Sequence, residues 1–257
     1  MVKGWDTFRY YLADFPDSYV IIGGTAMQHV LDSAPNNPRN TKDIDMVLVV
    51  DVLDEKFIRA FWELITDGDY LSHQQVEGEK KQYWRFKDPQ VEGFPDQIEI
   101  FSGKLDLSFS LMEGAKFTPV PVEGDVPSLS AILMDQEYYE FLNGNHSIRD
   151  DVKLANNRAL ICLKAKAWLD LRERKKKGEN IDSRNISKHK NDVFRLAALL
   201  SPNEKIEVPT SIKVDLKTFL SDVVGELPDQ IIYKEMGMGN MQSVKVLGLF
   251  KDVFGIE

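Results

Sequence analysis

The stretch "NTKDIDMVLVV" constrains this chain more than any other. From Ile44 to Val50 it is apolar and rich in β-branched residues, the composition of a buried strand. Yet it opens with two carboxylates, Asp43 and Asp45. Side chains two positions apart on a strand share a face, so the two acids project together while Ile44 points the other way. Carboxylates held this close repel and raise each other's pKa, and burying them is unfavourable unless a positive group meets them. A divalent cation meets that need, and oxygen ligands of this kind suit Mg²⁺ or Mn²⁺.

Upstream, "SYVIIGG" reads as a short buried strand ending in a glycine pair, and "TAMQHVLDS" as a helix with Thr25 at its N-cap. Gly23 and Gly24, placed between strand and helix, let backbone N–H groups approach phosphate oxygens closely. The helix N-terminus adds partial positive charge there and Thr25 a hydroxyl. "APNNPRN" is a loop by its prolines and asparagines. Asp54 is expected to cap a helix over "EKFIRAFWELIT". "KQYWRFKD" and "DQIEIFS", joined by the turn-rich "PQVEGFP", read as an antiparallel pair. Within "QIEIF", Glu99 is bracketed by Ile98 and Ile100. If its strand neighbours that of Asp43 and Asp45, three carboxylates converge on one site. Such a set, with room for two metal ions, is equipment for in-line displacement at phosphorus. Tyr83 and Arg85 alternate with Trp84 and are expected to face the cleft of Glu99, with Trp84 in the core.

Farther along, "KFTPVPVEG" reads as extended and "LSAILM" as a strand. From about Asp150 the texture turns to long helical patterns, beginning "VKLANNRALICLKAKAWLDLRERKKK" and separated by Pro202, Pro209 and Pro228. The expected class is α+β: a mixed β-sheet flanked by helices over residues 1–135, then a helical C-terminal domain over 136–257.

At 257 residues, 43% hydrophobic and 28% charged, with no internal repeat, the chain reads as globular. Its start lacks the apolar core of a signal peptide and no run approaches the roughly 20 apolar residues of a membrane helix, so a cytoplasmic protein with no membrane partner is expected. The net charge of −9 argues against a protein that coats nucleic acid. One basic run, Arg172 to Lys190, reads as a solvated helix end and loop or as a local phosphate-binding patch. The single cysteine, Cys162, lies in an apolar helical stretch and reads as core. The four histidines show no zinc-ligand spacing, and neither a P-loop nor a G-x-S-x-G pattern occurs.

The order of strand, Gly-Gly, helix, D-h-D-h strand and h-E-h strand resembles the nucleotidyltransferase superfamily typified by DNA polymerase β. "GGTA" and "TKDID" look most like the AbiEii-like branch, which holds bacterial toxins of toxin–antitoxin pairs. The resemblance implies a nucleotidyltransferase-type sheet and an Mg-dependent transfer of an NMP from an NTP, ATP among them, to an acceptor hydroxyl. Asp43 and Asp45 would hold two Mg²⁺ (or Mn²⁺) ions, Glu99 would complete the site nearer the acceptor, and Gly23, Gly24 and Thr25 would grip the triphosphate. In the helical half, "LKAKAWLD" and "KHKNDVFRL" look like that branch's lysine helix and basic-x-Asp helix, which would bring Lys164, or Lys166, and Lys190 to the phosphates. The gap from Gly24 to Asp43 is longer than usual in the superfamily, implying a loop insertion with Arg39 and Lys42 as candidate phosphate contacts. A tRNA 3′ end, a protein hydroxyl and a small molecule all stay open as acceptors, with an antitoxin protein as a further partner. The alternative from another class is a catalytically inactive nucleotide-binding or regulatory module of the same fold.

Overall fold

The structure, a computed structural model, describes residues 2–38, 41–49, 55–75, 82–102, 118–119, 132–133 and 135–256. The chain divides into two compact units. One draws on Met1–Ala26, Asn40–Val122 and Leu133–Ala155, the other on Met27–Arg39, Glu123–Ile132 and Asn156–Glu257. The class is the expected α+β, a mixed sheet flanked by helices with a helical C-terminal part.

In chain order the first part runs α1 (Trp5–Leu12), β1 (Tyr19–Ile22), α2 (Gly23–Leu31), β2 (Asp43–Leu48), α3 (Glu55–Asp67), β3 (Tyr70–Gln75), β4 (Gln82–Pro89), β5 (Gln97–Ser102), β6 (Thr118–Pro119), α4 (Gln136–Gly144), β7 (His146–Arg149) and β8 (Val152–Ala155). Among the described residues the strands form one sheet in the order β6-β3-β4-β5-β2-β1-β8-β7. β2 runs antiparallel to β1 and parallel to β5, and β4 and β5 form the expected antiparallel pair. β1 lies inside the sheet between β2 and β8, and all four of its residues, YVII, are buried. A strand covered on both faces has no position for a polar side chain.

One face of the sheet is packed by α1 and α3. Phe61 and Trp62 of α3 meet Phe86 of β4 edge-on at ring-centroid distances of 5.5 and 5.8 Å. Phe57 stacks on Tyr19 at 5.9 Å, and Phe8 of α1 meets Tyr19 from the other side at 5.8 Å. Each such fully buried side chain contributes about 1.5–3 kcal/mol, which makes this aromatic layer the main support of the sheet. Tyr19 keeps its hydroxyl satisfied by donating to the Leu12 carbonyl at 3.0 Å.

Several expectations change. The sheet continues past residue 135. Asp150 and Asp151, both at positive φ (53° and 63°), turn β7 back onto β8, and β8 pairs with β1. Two consecutive left-handed residues are the signature of a tight hairpin turn, which aspartate tolerates better than most. Val152–Ala155 is therefore a strand, and the helix begins at Asn157, where the Asn156 side chain accepts from the Ala159 N–H at 3.1 Å. Ile132 and Leu133 are helical, not part of a strand over "LSAILM"; the rest of that stretch lies outside the described residues. A short, largely apolar run fits either element. Thr25 is not an N-cap, because α2 already starts at Gly23. β3 was not legible as a strand. Asp54 and most of "KFTPVPVEG" lie outside the described residues.

The helical part comprises α5 (Asn157–Lys176), α6 (Ser183–Ala197), α7 (Thr210–Val223), α8 (Ile231–Glu235) and α9 (Ser243–Phe254). Its core is an aromatic chain: Trp168 to Phe219 at 5.0 Å, Phe219 to Phe250 at 6.2 Å and Phe250 to Phe254 at 4.8 Å. Cys162 is fully buried there, and burial pushes its thiol far above the range in which a thiolate forms, so it is a core residue. Among the described residues no helix is long and apolar enough to cross a membrane.

This core also holds an ion pair. Lys164 Nζ lies 2.9 Å from Asp192 Oδ2, with the two residues 6% and 0% exposed, and Arg195 Nη1 reaches Asp192 Oδ1 at 3.5 Å. Removing one partner of a buried pair strands the other charge. Lys164→Met is expected to cost about 3 kcal/mol, read as a fall in the urea unfolding midpoint. The double change Lys164→Met with Asp192→Leu is expected to recover most of that loss.

Candidate active site

β2 enters the sheet between β1 and β5, and its register decides which side chains meet. Asp45 stands opposite Ile22 on β1 and Glu99 on β5, and Asp43 stands opposite Gln97. On the next strand Arg85 is opposite Glu99 and Lys87 is opposite Gln97. Directly opposed residues share a face. Asp43, Asp45, Gln97, Glu99, Arg85 and Lys87 therefore form a polar block on one side of the sheet. The alternating set Ile44, Met46, Ile98, Ile100, Trp84 and Phe86 is buried on the side that α3 covers. The register puts the three acids on one face of the sheet, and Trp84 is in the core as expected.

Glu99 is 6% exposed and well supplied with donors: Arg85 Nε at 2.8 Å and Gln97 Nε2 at 2.6 Å both donate to its Oε1. A side-chain hydrogen bond joins it to Asp45. Burial raises the Asp45 carboxyl well above the usual carboxylate range. The negative charges of Glu99 and Asp43, and the hydrogen bond with Glu99, raise it further, while the Gly24 N–H donated to it acts in the opposite direction.

The glycine pair is dictated by this packing. Gly23 has φ +64°, and a Cβ there would lie 1.8 Å from Asp45 Oδ2. A Cβ on Gly24 would lie 2.6 Å from Thr41 Oγ1. Both positions exclude any side chain, so the first turn of α2 sits against the start of β2. Thr25 fastens the same junction: it is 1% exposed, and its hydroxyl donates to the Asp43 carbonyl at 2.7 Å. The structure thus shows Thr25 in a positioning duty. Gln97 and Thr41 were missed from sequence; Gln97 carried one signal, its place two residues before Glu99 on the same strand face.

The donor set is all oxygen, with three carboxylates on one face of the sheet, and such a set fits a hard divalent cation such as Mg²⁺. Asp43 and Asp45 would be its ligands, with Glu99 beside them. Among the described residues no three His, Cys, Asp or Glu side chains converge on a single point in the conformation seen. Lys42 is exposed just before β2, and Arg39 lies outside the described residues. Lys164 and Lys190 belong to the helical unit, where Lys190 Nζ donates to the Glu226 carbonyl at 2.7 Å and Lys166 pairs with Asp215 at 2.7 Å. The nucleotide role implied for Lys164 and Lys190 rests on the resemblance alone.

No protein-family model matches the chain, and no curated protein matches it. Among solved structures, it is similar to an antigenic nucleotidyltransferase-like protein from Paracoccidioides brasiliensis. The two are 15% identical over 92% of this chain and 94% of that one, with a TM-score of 0.46.

Two outcomes follow from this geometry. Gly23→Ala forces a left-handed backbone onto a residue with a side chain, which alone costs about 1–2 kcal/mol, and drives that side chain into Asp45; a lowered melting temperature is the readout. Asp45→Asn keeps the shape and the Gly24 hydrogen bond but removes a charge. A carboxyl whose pKa is raised by folding contributes stability that is present below its unfolded pKa and lost as pH rises. In EDTA at pH 7, Asp45→Asn is therefore expected to melt a few degrees above the unaltered protein. The gap should narrow as the pH is lowered toward about 4, the unfolded carboxylate range.

Proposed function

We propose that this chain is a metal-dependent nucleotidyltransferase that moves an NMP from an NTP to an acceptor hydroxyl. The observation that carries the reading is the register that sets Asp45 of β2 against Glu99 of β5, with Asp43 on the same face. The Gly23-Gly24 turn is pressed against that pair. Strand carboxylates beside a glycine turn that opens a helix are the parts needed to hold a triphosphate and direct attack at its α-phosphorus.

In this reading Asp43 and Asp45 hold Mg²⁺ or Mn²⁺, two ions in all. When bound, the cations supply charge neutralisation at the phosphates and a lowered pKa at the acceptor hydroxyl. The backbone N–H groups at the start of α2 orient the triphosphate oxygens. Thr25 keeps that turn in place through the Asp43 carbonyl. Glu99, held by Gln97 and Arg85, lies where a third carboxylate can accept the hydroxyl proton as the acceptor oxygen attacks. Pyrophosphate leaves in line with that attack.

A second reading is favoured by one observation: Glu99 Oε1 already accepts from both Arg85 and Gln97. An acid engaged in this way also suits a non-catalytic nucleotide-binding module. Calorimetry separates the two. NTP binding that requires Mg²⁺ and is lost in Asp45→Ala belongs to the enzyme; equal binding in EDTA belongs to the module. The toxin reading adds that expression in bacteria arrests growth and that a partner antitoxin relieves it. Unimpaired growth at high expression would remove that part alone.

The decisive experiment offers α-labelled NTPs with Mg²⁺ or Mn²⁺ to the purified protein together with protein, tRNA and small-molecule acceptors. Label transfer by the unaltered protein and a loss of at least 100-fold in Asp43→Ala are expected, the loss being of the order seen when a group stabilising the transition state is removed. No transfer from any of the four NTPs to any acceptor class would overturn the assignment.

A further inference from the structure

The polar block pairs its acids with a cation of the protein's own. Arg85 stands opposite Glu99 on the neighbouring strand, and its Nε is 2.8 Å from Glu99 Oε1. The two side chains are 23% and 8% exposed, so the pair is well shielded from water. A guanidinium placed this way is not a surface ornament. In a shielded site one unit charge a few ångströms away changes the energy of a neighbouring ion by several times its effect in bulk water. Lys87, one row along on the same face, stands opposite Gln97 rather than opposite an acid.

We propose that Arg85 is the resident counter-charge of the acid cluster and sets how tightly a divalent cation binds there. This inference rests on the nucleotidyltransferase reading, since it takes Asp43 and Asp45 as the cation's ligands. Arg85 and a cation act on the same carboxylates with charge of the same sign. Arg85 therefore weakens cation binding by charge repulsion. In return it keeps a buried carboxylate neutralised when no cation is supplied. Gln97 grips the same oxygen without charge, at 2.6 Å. It orients Glu99 and leaves the charge balance alone. Arg85 is thus a positioning residue that acts through Glu99, and it makes the site selective for an ion delivered with a triphosphate over the bare ion. The triphosphate's negative charge cancels the repulsion that the bare ion meets.

The test measures Mn²⁺ binding and thermal stability in the full chain, neither of which requires catalysis. Arg85→Met keeps the aliphatic stem and removes the charge; it is expected to melt lower in EDTA and to bind bare Mn²⁺ about tenfold more tightly, the scale of one unit charge in shielded surroundings. Arg85→Lys keeps the charge and is expected to stay within about twofold of the unaltered protein in Mn²⁺ affinity. Gln97→Leu removes the neutral hold and is expected to leave Mn²⁺ affinity equally unmoved. Mn²⁺ binding that is unchanged or weaker in Arg85→Met overturns the inference while leaving the functional reading intact. Should Arg85→Met fail to fold, weaker Mn²⁺ binding in Arg85→Lys together with tighter binding in Gln97→Leu overturns it, because the neutral contact would then be the one in control. No Mn²⁺ binding by the unaltered protein, whether the ion is offered bare or together with an NTP, overturns both the inference and the functional reading.

Discussion

One carboxylate oxygen, Asp45 Oδ2, stands 1.8 Å from where a Gly23 side chain would begin. Much of the first unit is arranged around that approach. It requires glycine at the end of β1 and a left-handed backbone there. It also holds the first turn of α2 against the start of β2. The Thr25 hydroxyl on the Asp43 carbonyl repeats the same attachment one turn position later. Strand, turn, helix and next strand are thus joined by contacts no larger than single atoms, and a displacement of β2 by one residue would break all of them. Such a slip would also send the acids to the apolar side and Ile44 and Met46 to the polar side.

The same register creates an electrostatic problem that the surrounding residues share out. Asp45 is pushed toward its protonated form by burial and by its two acidic neighbours. Glu99 accepts hydrogen bonds from Arg85 and Gln97, which fix its orientation beside Asp45. A block of carboxylates alone would be an unstable face on a sheet; a block with one arginine at its edge is tolerable.

What the sequence made legible was local and periodic. The alternation around Glu99 and the turn-rich "PQVEGFP" sufficed to place β4 and β5 as neighbours, and Trp84 in the core, because a period of two is carried by each residue's own chemistry. The strand after Gly24, with its two acids, was legible for the same reason. Less visible were features that exist only once strands have paired. Gln97 becomes a Glu99 partner through a contact along β5, and Thr41 matters only because Gly24 packs on it. The β7–β8 hairpin hid behind an aspartate pair that uses positive φ where asparagine or glycine would have announced a turn. β8 itself, four residues long, merged in the sequence with the helix that follows it. The resemblance put Lys164 among the phosphate contacts, and nothing in "LKAKAWLD" tells that its position turns inward to a fully buried aspartate.

The basic run from Arg172 to Lys190 shows how far a count of charges falls short of a field. Arg172 pairs with Asp222 at 2.9 Å and Glu226 at 3.4 Å, Arg174 with Glu179 at 2.8 Å and Lys177 with Glu173 at 2.6 Å. Arg184 meets Asp182 at 2.7 Å, and Lys190 shares Glu226 at 3.0 Å. Arg172 is further spread over the Trp168 ring, 4.2 Å from its centroid. Exposed pairs of this kind add little to stability. Their effect is on the potential: each acid cancels most of the reach of its base within a Debye length. A polynucleotide laid along this segment would have to take these cations from carboxylates already in contact with them, and on a chain of net charge −9 it would meet long-range repulsion as well.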